Sequence, residues 1–216
     1  MTNEWRTAEH AQAYLARADT IPHRTEGEAE LLEHLPAGAR RVLDLGSGDG
    51  RLLDLVLRHC HQARGTALDF SPAMLDGLRA RFAGSDRVEI VAHDFEAPLP
   101  ALGVFDAVVS SFAIHHVEHP RKRSLYGEVW DRLAPGGVFL NLEHVASPTP
   151  RLHDFFLAAI GYTVESEDPS NKLLDVWTQL RWLQDIGFAD VDCAWKWREM
   201  ALLVASRPTP SSAPNS

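Results

Sequence analysis

Residues 42–53 read Val-Leu-Asp-Leu-Gly-Ser-Gly-Asp-Gly-Arg-Leu-Leu, and no other stretch of the chain carries as strong a structural signal. An apolar β-run holds Asp44, three glycines follow at alternate positions (Gly46, Gly48, Gly50), and the apolar residues Leu52, Leu53, Leu55, Val56 and Leu57 then take up a helical spacing. A strand feeding a glycine loop feeding a helix leaves bare backbone beside the positive end of that helix, where a ligand can come close. Spacing separates two kinds of ligand. A dinucleotide fingerprint is G-x-G-x-x-G, whose third glycine packs helix on strand. That place is position 51, and Arg51 occupies it. The chain has G-x-G-x-G instead, with the acid Asp44 two residues ahead of the first glycine. A tight turn with no ligand has the same local pattern, so the segments that follow decide the matter.

They repeat one arrangement. Gly65-Thr-Ala-Leu-Asp-Phe-Ser-Pro reads as a second strand ending at Asp69, 19 residues past Gly50, with Ser71 and Pro72 placed to start a helix. An acid there can accept hydrogen bonds from two sugar hydroxyls, or simply end a strand, and Phe70 can pack on a flat ring. A third strand from Val88 ends at Asp94-Phe95, where the acid can also cap the next turn. Phe105 to His116 reads as a central strand, apolar on both faces, with Ser110 and Ser111 towards its carboxyl end. Leu133-Ala-Pro-Gly-Gly-Val-Phe-Leu-Asn-Leu-Glu-His is a helix end, a turn and a fifth strand. The stretches 190–197 and 200–207 are close enough to form an antiparallel hairpin.

The glycine loop with its acid, Asp-Phe-Ser-Pro-Ala-Met-Leu, Asp94-Phe95, Leu-Ala-Pro-Gly-Gly and the late Gly-Phe-x-x-Val turn together resemble class I S-adenosylmethionine (SAM)-dependent methyltransferases. The resemblance is close over 38–146 and looser over 175–207. It implies an α/β fold, a three-layer sandwich around a seven-stranded, mostly parallel sheet with the last strand antiparallel. It also implies S-adenosyl-L-methionine as cofactor. Asp44, Gly46, Ser47, Gly48 and Gly50 then face its methionine and ribose, Asp69 the ribose, Phe70, Asp94 and Phe95 the adenine, and Ser110 and Ser111 the methionine pocket. An N-terminal lid brings Tyr14, Arg17, His23 and Arg24 towards the same cleft, although each can equally be a solvated helix residue. The Ile-Pro dipeptide and the C-terminal helix and hairpin loosely resemble the branch that modifies carboxymethoxyuridine in tRNA.

The chain divides on this reading into a lid (1–37), a SAM-binding domain (38–207) with a substrate-side insertion (146–184), and a Pro/Ser-rich disordered tail (208–216). Phe155, Phe156 and Trp177 of the insertion, with Tyr14, are the candidate substrate contacts. His115, His116, Glu143 and His144 follow the fourth and fifth strands, where an imidazole or carboxylate can take a proton from a nucleophile, or merely orient loops. Their spacing, with His119 and His153, matches no zinc pattern, so no metal is expected. The chain has 216 residues, 45% of them hydrophobic, enough for one α/β domain with a real core. A net charge of −9 and no basic run longer than Arg121-Lys-Arg123 favour a small-molecule acceptor over nucleic acid. Transmembrane and signal segments are absent from the pattern, and two cysteines make no disulfide framework, so a cytoplasmic location is expected. Two rivals keep the fold: an RNA-modifying enzyme, and a SAM- or nucleotide-binding module without catalysis.

Overall fold

The computed structural model describes residues 21–210. Seven strands, β1 (Arg41–Leu45), β2 (Arg64–Asp69), β3 (Val88–Ala92), β4 (Phe105–Ser111), β5 (Leu133–His144), β6 (Ala189–Trp197) and β7 (Met200–Ser206), form one sheet in the order β3-β2-β1-β4-β5-β7-β6. β1 to β5 pair in parallel, and β7 runs antiparallel to both β5 and β6. Between them lie α1 (Arg24–Glu33), α2 (Arg51–His59), α3 (Pro72–Arg81), α4 (His119–Arg132), α5 (Pro150–Ala159) and α6 (Val176–Ile186).

Side chains alternate across the sheet with period two, so each buried strand feeds two cores. Val42, Ala67, Ala107, Val109, Leu140, Leu142, Leu202 and Val204 pack against Leu31, Leu52, Leu53, Val56 and Leu78 of α1, α2 and α3. Leu43, Leu45, Leu68, Val108, Phe139 and Ala205 pack on the other face against Leu125, Tyr126 and Val129 of α4 and Leu183 of α6. Asn141 and Glu143 share the face of Phe139, so β5 carries two polar side chains into that second layer.

β4 is shorter than the apolar pattern suggests. It stops at Ser111, because Phe112 adopts φ 51°, and a 3-10 turn, Ile114–His116, follows. Bulky residues seldom enter this left-handed region, and when they do the strain often marks a functional site. The chain leaves β1 in one direction, towards β2 and β3, and returns to β4 on β1's other side. The carboxyl ends of β1 and β4 therefore flank a topological switch point, where open α/β sheets place their ligands.

Candidate functional site

A cleft of about 350 Å³ opens at that switch point. Its lining includes Asp44 of β1 with Gly46, Ser47 and Gly48 after it, Asp69 of β2 with Phe70 and Ser71 after it, His93 to Glu96 after β3, and Ser111 of β4 with Phe112, Ala113 and His116 after it. Arg24 of α1 closes one side.

Backbone geometry makes the first wall. Gly46 has φ 69°, and a Cβ there would lie 2.2 Å from the Ala113 Cβ, so the β1 and β4 loops meet at a point only glycine allows. Gly48 has φ 56°, and a Cβ there would have only the Met74 sulfur nearby, at 3.9 Å, so this glycine faces open cleft. Asp69 ties the wall together. One carboxylate oxygen accepts the Gly48 N–H and the other the Ser71 N–H, both at 2.9 Å. Each oxygen keeps a second lone pair for a ligand hydroxyl. Burial pushes the Asp69 carboxyl up, and the backbone N–H groups of Ser71, Gly48 and Phe70 pull against it.

Unpaired polar atoms concentrate in this cleft. Among the described residues, six buried side-chain atoms lack a hydrogen-bond partner, and four of them, both Asp44 oxygens, Ser71 Oγ and Ser111 Oγ, belong to residues lining the cleft. Such atoms cost about 1–3 kcal/mol each unless something meets them. Burial, reinforced by the charge of Asp69, pushes the Asp44 carboxyl up to about 7. An acid held this way suits a cationic ligand group. Ser71 stands at the N-cap of α3 without capping it, so its hydroxyl is also left for the cleft.

The second wall is built from side chains. His116 lines the cleft, and its Nδ1 lies 2.8 Å from Ser170 Oγ. His115 packs against it, the rings tilted by 43° with centroids 3.9 Å apart, and has its Nδ1 2.7 Å from Glu143 Oε1. Burial holds both imidazoles well below their ordinary range and pushes Glu143 up. Glu143 also accepts the His144 N–H at 2.9 Å and has Asn141 Nδ2 at 3.4 Å. A second series runs outward, from His144 Nε2 to Glu199 at 3.0 Å, Glu199 to His153 Nδ1 at 3.0 Å, and His153 Nε2 to Glu167 at 3.1 Å. It fastens α5 to the β6–β7 turn.

Several residues expected at the cofactor stand elsewhere. Gly50 turns inward, where a Cβ would meet Phe82 and Leu78, and serves the start of α2. Ser110 lies behind the cleft and donates to the Leu45 carbonyl at 2.7 Å. His23 stacks on Trp197 and pairs with Glu26. Arg24 does line the cleft, bound to Glu28, which also holds Arg51. Of the four candidate proton acceptors, His116 alone is in the lining, whereas His115, Glu143 and His144 form the network behind it.

The insertion's aromatic residues do not line the cleft either. Phe156 is buried against Met200, while Phe155 and Trp177 are 58% and 76% exposed. Phe155 stacks under Arg198, and Trp177 sits in the first turn of α6, facing solvent. Tyr14 and Arg17 lie outside the described residues. Phe112, Lys122, Ser170 and Glu199 are site or network residues that the sequence pattern does not single out.

Known proteins agree with this architecture. The family model for a methyltransferase domain matches residues 42–137. A demethylmenaquinone methyltransferase of Clavibacter sepedonicus is 32% identical over 173 residues, 73% of this chain and 69% of the relative. A trans-aconitate 2-methyltransferase of Rhodopseudomonas palustris (strain BisB18) is 33% identical over 129 residues, 59% of this chain and 47% of that protein. The crystal structure of human N-acetylserotonin methyltransferase in complex with SAM shares the fold, with a TM-score of 0.69 at 17% identity, and covers 95% of this chain and 58% of that one. The chain belongs to the class I SAM-dependent methyltransferases. It is an enzyme of methyl transfer, and SAM is its methyl donor.

Proposed function

We propose that the protein methylates a small-molecule acceptor held between the carboxyl ends of β4 and β5 and the 146–184 segment. The observation that carries the cofactor half is the set of unpartnered buried atoms on Asp44, Ser71 and Ser111, which the donor's polar groups would satisfy. In this reading Asp44 meets the amino group of the methionine moiety and Arg24 its carboxylate. Asp69 holds the ribose hydroxyls, the Gly46–Gly48 backbone lies along the ribose and methionine, and Asp94 and Phe95 hold the adenine with Phe70 nearby. Bound there, the donor supplies a sulfonium methyl open to in-line attack, with the carbon–sulfur electron pair returning to sulfur.

The chain's own work is to align the nucleophile, exclude water and receive its proton. Of the four candidate proton acceptors at the ends of β4 and β5, His116 is the one in the lining, with His115 and Glu143 supporting the ring from below. Relatives named for demethylmenaquinone and trans-aconitate support a small acceptor, as does the acidic balance of −9. An RNA acceptor would call for a basic face. We also assign residues 1–37 to a lid, 38–207 to the SAM-binding domain and 146–184 to the acceptor side. Among the described residues no helix is long and apolar enough to cross a membrane. Two free cysteines, Cys60 and Cys193, support a reducing, cytoplasmic setting. Screening a metabolite panel for S-adenosylhomocysteine release tests the reading. Turnover of tRNA with none of the small acceptors would replace it with the RNA alternative.

A further inference from the structure

We propose that Arg121 and Glu128 of α4 are positioning residues for the donor's base: from behind the cleft they clamp the loop after β3 that forms its adenine side. The inference rests on the assignment of Asp94 and Phe95 to adenine made above. It adds two residues, outside the cleft lining, that set base specificity.

Residues 93–104 join β3 to β4 without a helix or strand, yet Phe95 and Leu99 are buried. Backbone in such a segment has no ladder to pair with, so its polar groups must find other partners. α4 supplies them. Arg121 Nε donates to the Phe95 carbonyl at 2.6 Å, and its Nη2 donates to the Ala97 carbonyl at 2.8 Å. Glu128 Oε2 accepts the Leu99 N–H at 2.8 Å. The two side chains also meet each other, Arg121 Nη1 to Glu128 Oε1 at 2.5 Å and Nη2 to Oε2 at 3.0 Å. That two-point pairing fixes the plane of the guanidinium.

The spacing on α4 makes the clamp possible. Residues 121 and 128 stand two helical turns apart on one face, with Leu125 between them. Leu125 is buried in the same core as Phe95 and Leu99, so this face grips the loop through apolar side chains and backbone polar groups together. The side chains of Arg121 and Glu128 are only 15% and 25% exposed, where water and salt screen an ion pair less than on an open surface. Burial pushes the Glu128 carboxyl up, but Arg121 and the Leu99 N–H outweigh it and hold the group below its ordinary range.

The clamp reaches the cleft through one peptide unit. A peptide is planar, so fixing the Phe95 carbonyl also fixes the Glu96 N–H. That N–H donates to Asp94 Oδ1 at 3.1 Å, and the Ala97 N–H closes the same turn on the Asp94 carbonyl at 3.0 Å. Arg121 thereby orients the Asp94 carboxylate without touching the ligand. A base edge is read by hydrogen bonds that weaken steeply with misalignment, so the fixed path of this turn is what lets it tell adenine from another purine.

S-adenosylhomocysteine and S-inosylhomocysteine differ only in the base, where hypoxanthine exchanges adenine's amine donor for a carbonyl and its acceptor N1 for a donor. Calorimetry of both ligands on the full chain therefore reads base recognition apart from the ribose and amino-acid contacts. The parent should prefer the adenine ligand by about tenfold or more, as expected when a buried polar group loses its partner. Arg121→Met, which keeps the length but no donor, and Glu128→Gln should each cut that preference by about threefold or more. Arg121→Lys should not restore it, because an ammonium lacks the fork. Asp69→Ala should weaken both ligands alike and leave the preference intact. An unchanged preference in Arg121→Met and Glu128→Gln overturns the clamp while the adenine assignment stands. A parent without preference sinks that assignment, and the clamp with it. Should the variants fail to fold, amide exchange in the parent decides: the Leu99 N–H lies in no helix or strand, so protection supports the clamp and fast exchange overturns it.

Discussion

The two walls of the cleft are made of different materials. On the β1–β3 side the recognition surface is mostly backbone: positive-φ glycines, and an acid, Asp69, clamped by two main-chain N–H groups. On the β4–β5 side it is mostly side chain: imidazoles and carboxylates paired across elements far apart in sequence. A backbone surface can change little without breaking the fold, whereas a side-chain surface can be re-specified one substitution at a time. In the proposed reading the donor, the same for the whole class, meets the rigid wall, and the acceptor meets the adjustable one.

Substitutions can break that contrast. The largest effect is expected from Gly46→Val. Its Cβ would collide with Ala113 at a backbone angle unfavourable for any branched residue, and SAM binding measured by calorimetry should be lost. A binding-competent Gly46→Val would show that the first wall is adjustable after all. On the second wall, His116→Ala should lower turnover by about 10²-fold or more, with SAM affinity near normal. A change confined to acceptor KM would mean that His116 only shapes the pocket. Asp69→Ala comes next in size. Losing a charged acceptor should weaken SAM binding by roughly 2 kcal/mol or more, about 30-fold, and loosen the Gly48 loop as well.

Protons give a subtler test. Folding raises the Asp44 carboxyl from 3.8 to about 7, so the folded chain holds this proton more tightly than the unfolded one. Its contribution to stability is present at low pH and is lost as pH rises from about 4 to about 7. Asp44→Asn should therefore gain stability relative to the parent at pH 8 compared with pH 5, read from urea midpoints, while losing SAM affinity. In the parent, affinity for the cationic amino group should increase through neutral pH. The smallest effect belongs to the outer series. Glu199 and Glu167 raise His153 against the opposing effect of burial. Its pairing should help below the ordinary histidine range and fade as pH rises through the raised value, so His153→Ala should cost about 1 kcal/mol or less at pH 6 and less still at pH 9.

The same contrast explains which parts of the site are legible in the sequence. Asp44, the Gly46–Gly48 loop, Asp69 and Asp94-Phe95 can be read there because each strand, turn and following helix is continuous in the chain, with chemistry set by local spacing. The second wall depends on partners that periodicity does not report. Ser170 meets His116 from 54 residues away, and Glu199 meets His153 from 46. Lys122 sits inside Arg121-Lys-Arg123, a run that looks solvated, yet it is fully buried because Lys172 supplies a carbonyl and Glu143 a nearby charge. Exposed aromatics mislead for the converse reason. Phe155 and Trp177 suggest a lid by composition, but the helices carrying them turn those side chains away from the cleft. The left-handed Phe112 has no sequence signature at all.

The position of β7 has a consequence for how the molecule is made. It follows every other strand in chain order, yet it lies between β5 and β6, with Met200 to Ala205 buried. All the described lining of the cleft has been synthesised by Val117, long before that strand leaves the ribosome. The growing chain can thus assemble the cleft early, while the β5 edge from Val138 to His144 waits for its neighbour. An unpaired edge is a template for wrong partners. Nascent chains halted just short of residue 200 should therefore be the species most dependent on chaperones, because a bare interior edge is all that separates them from a closed sheet.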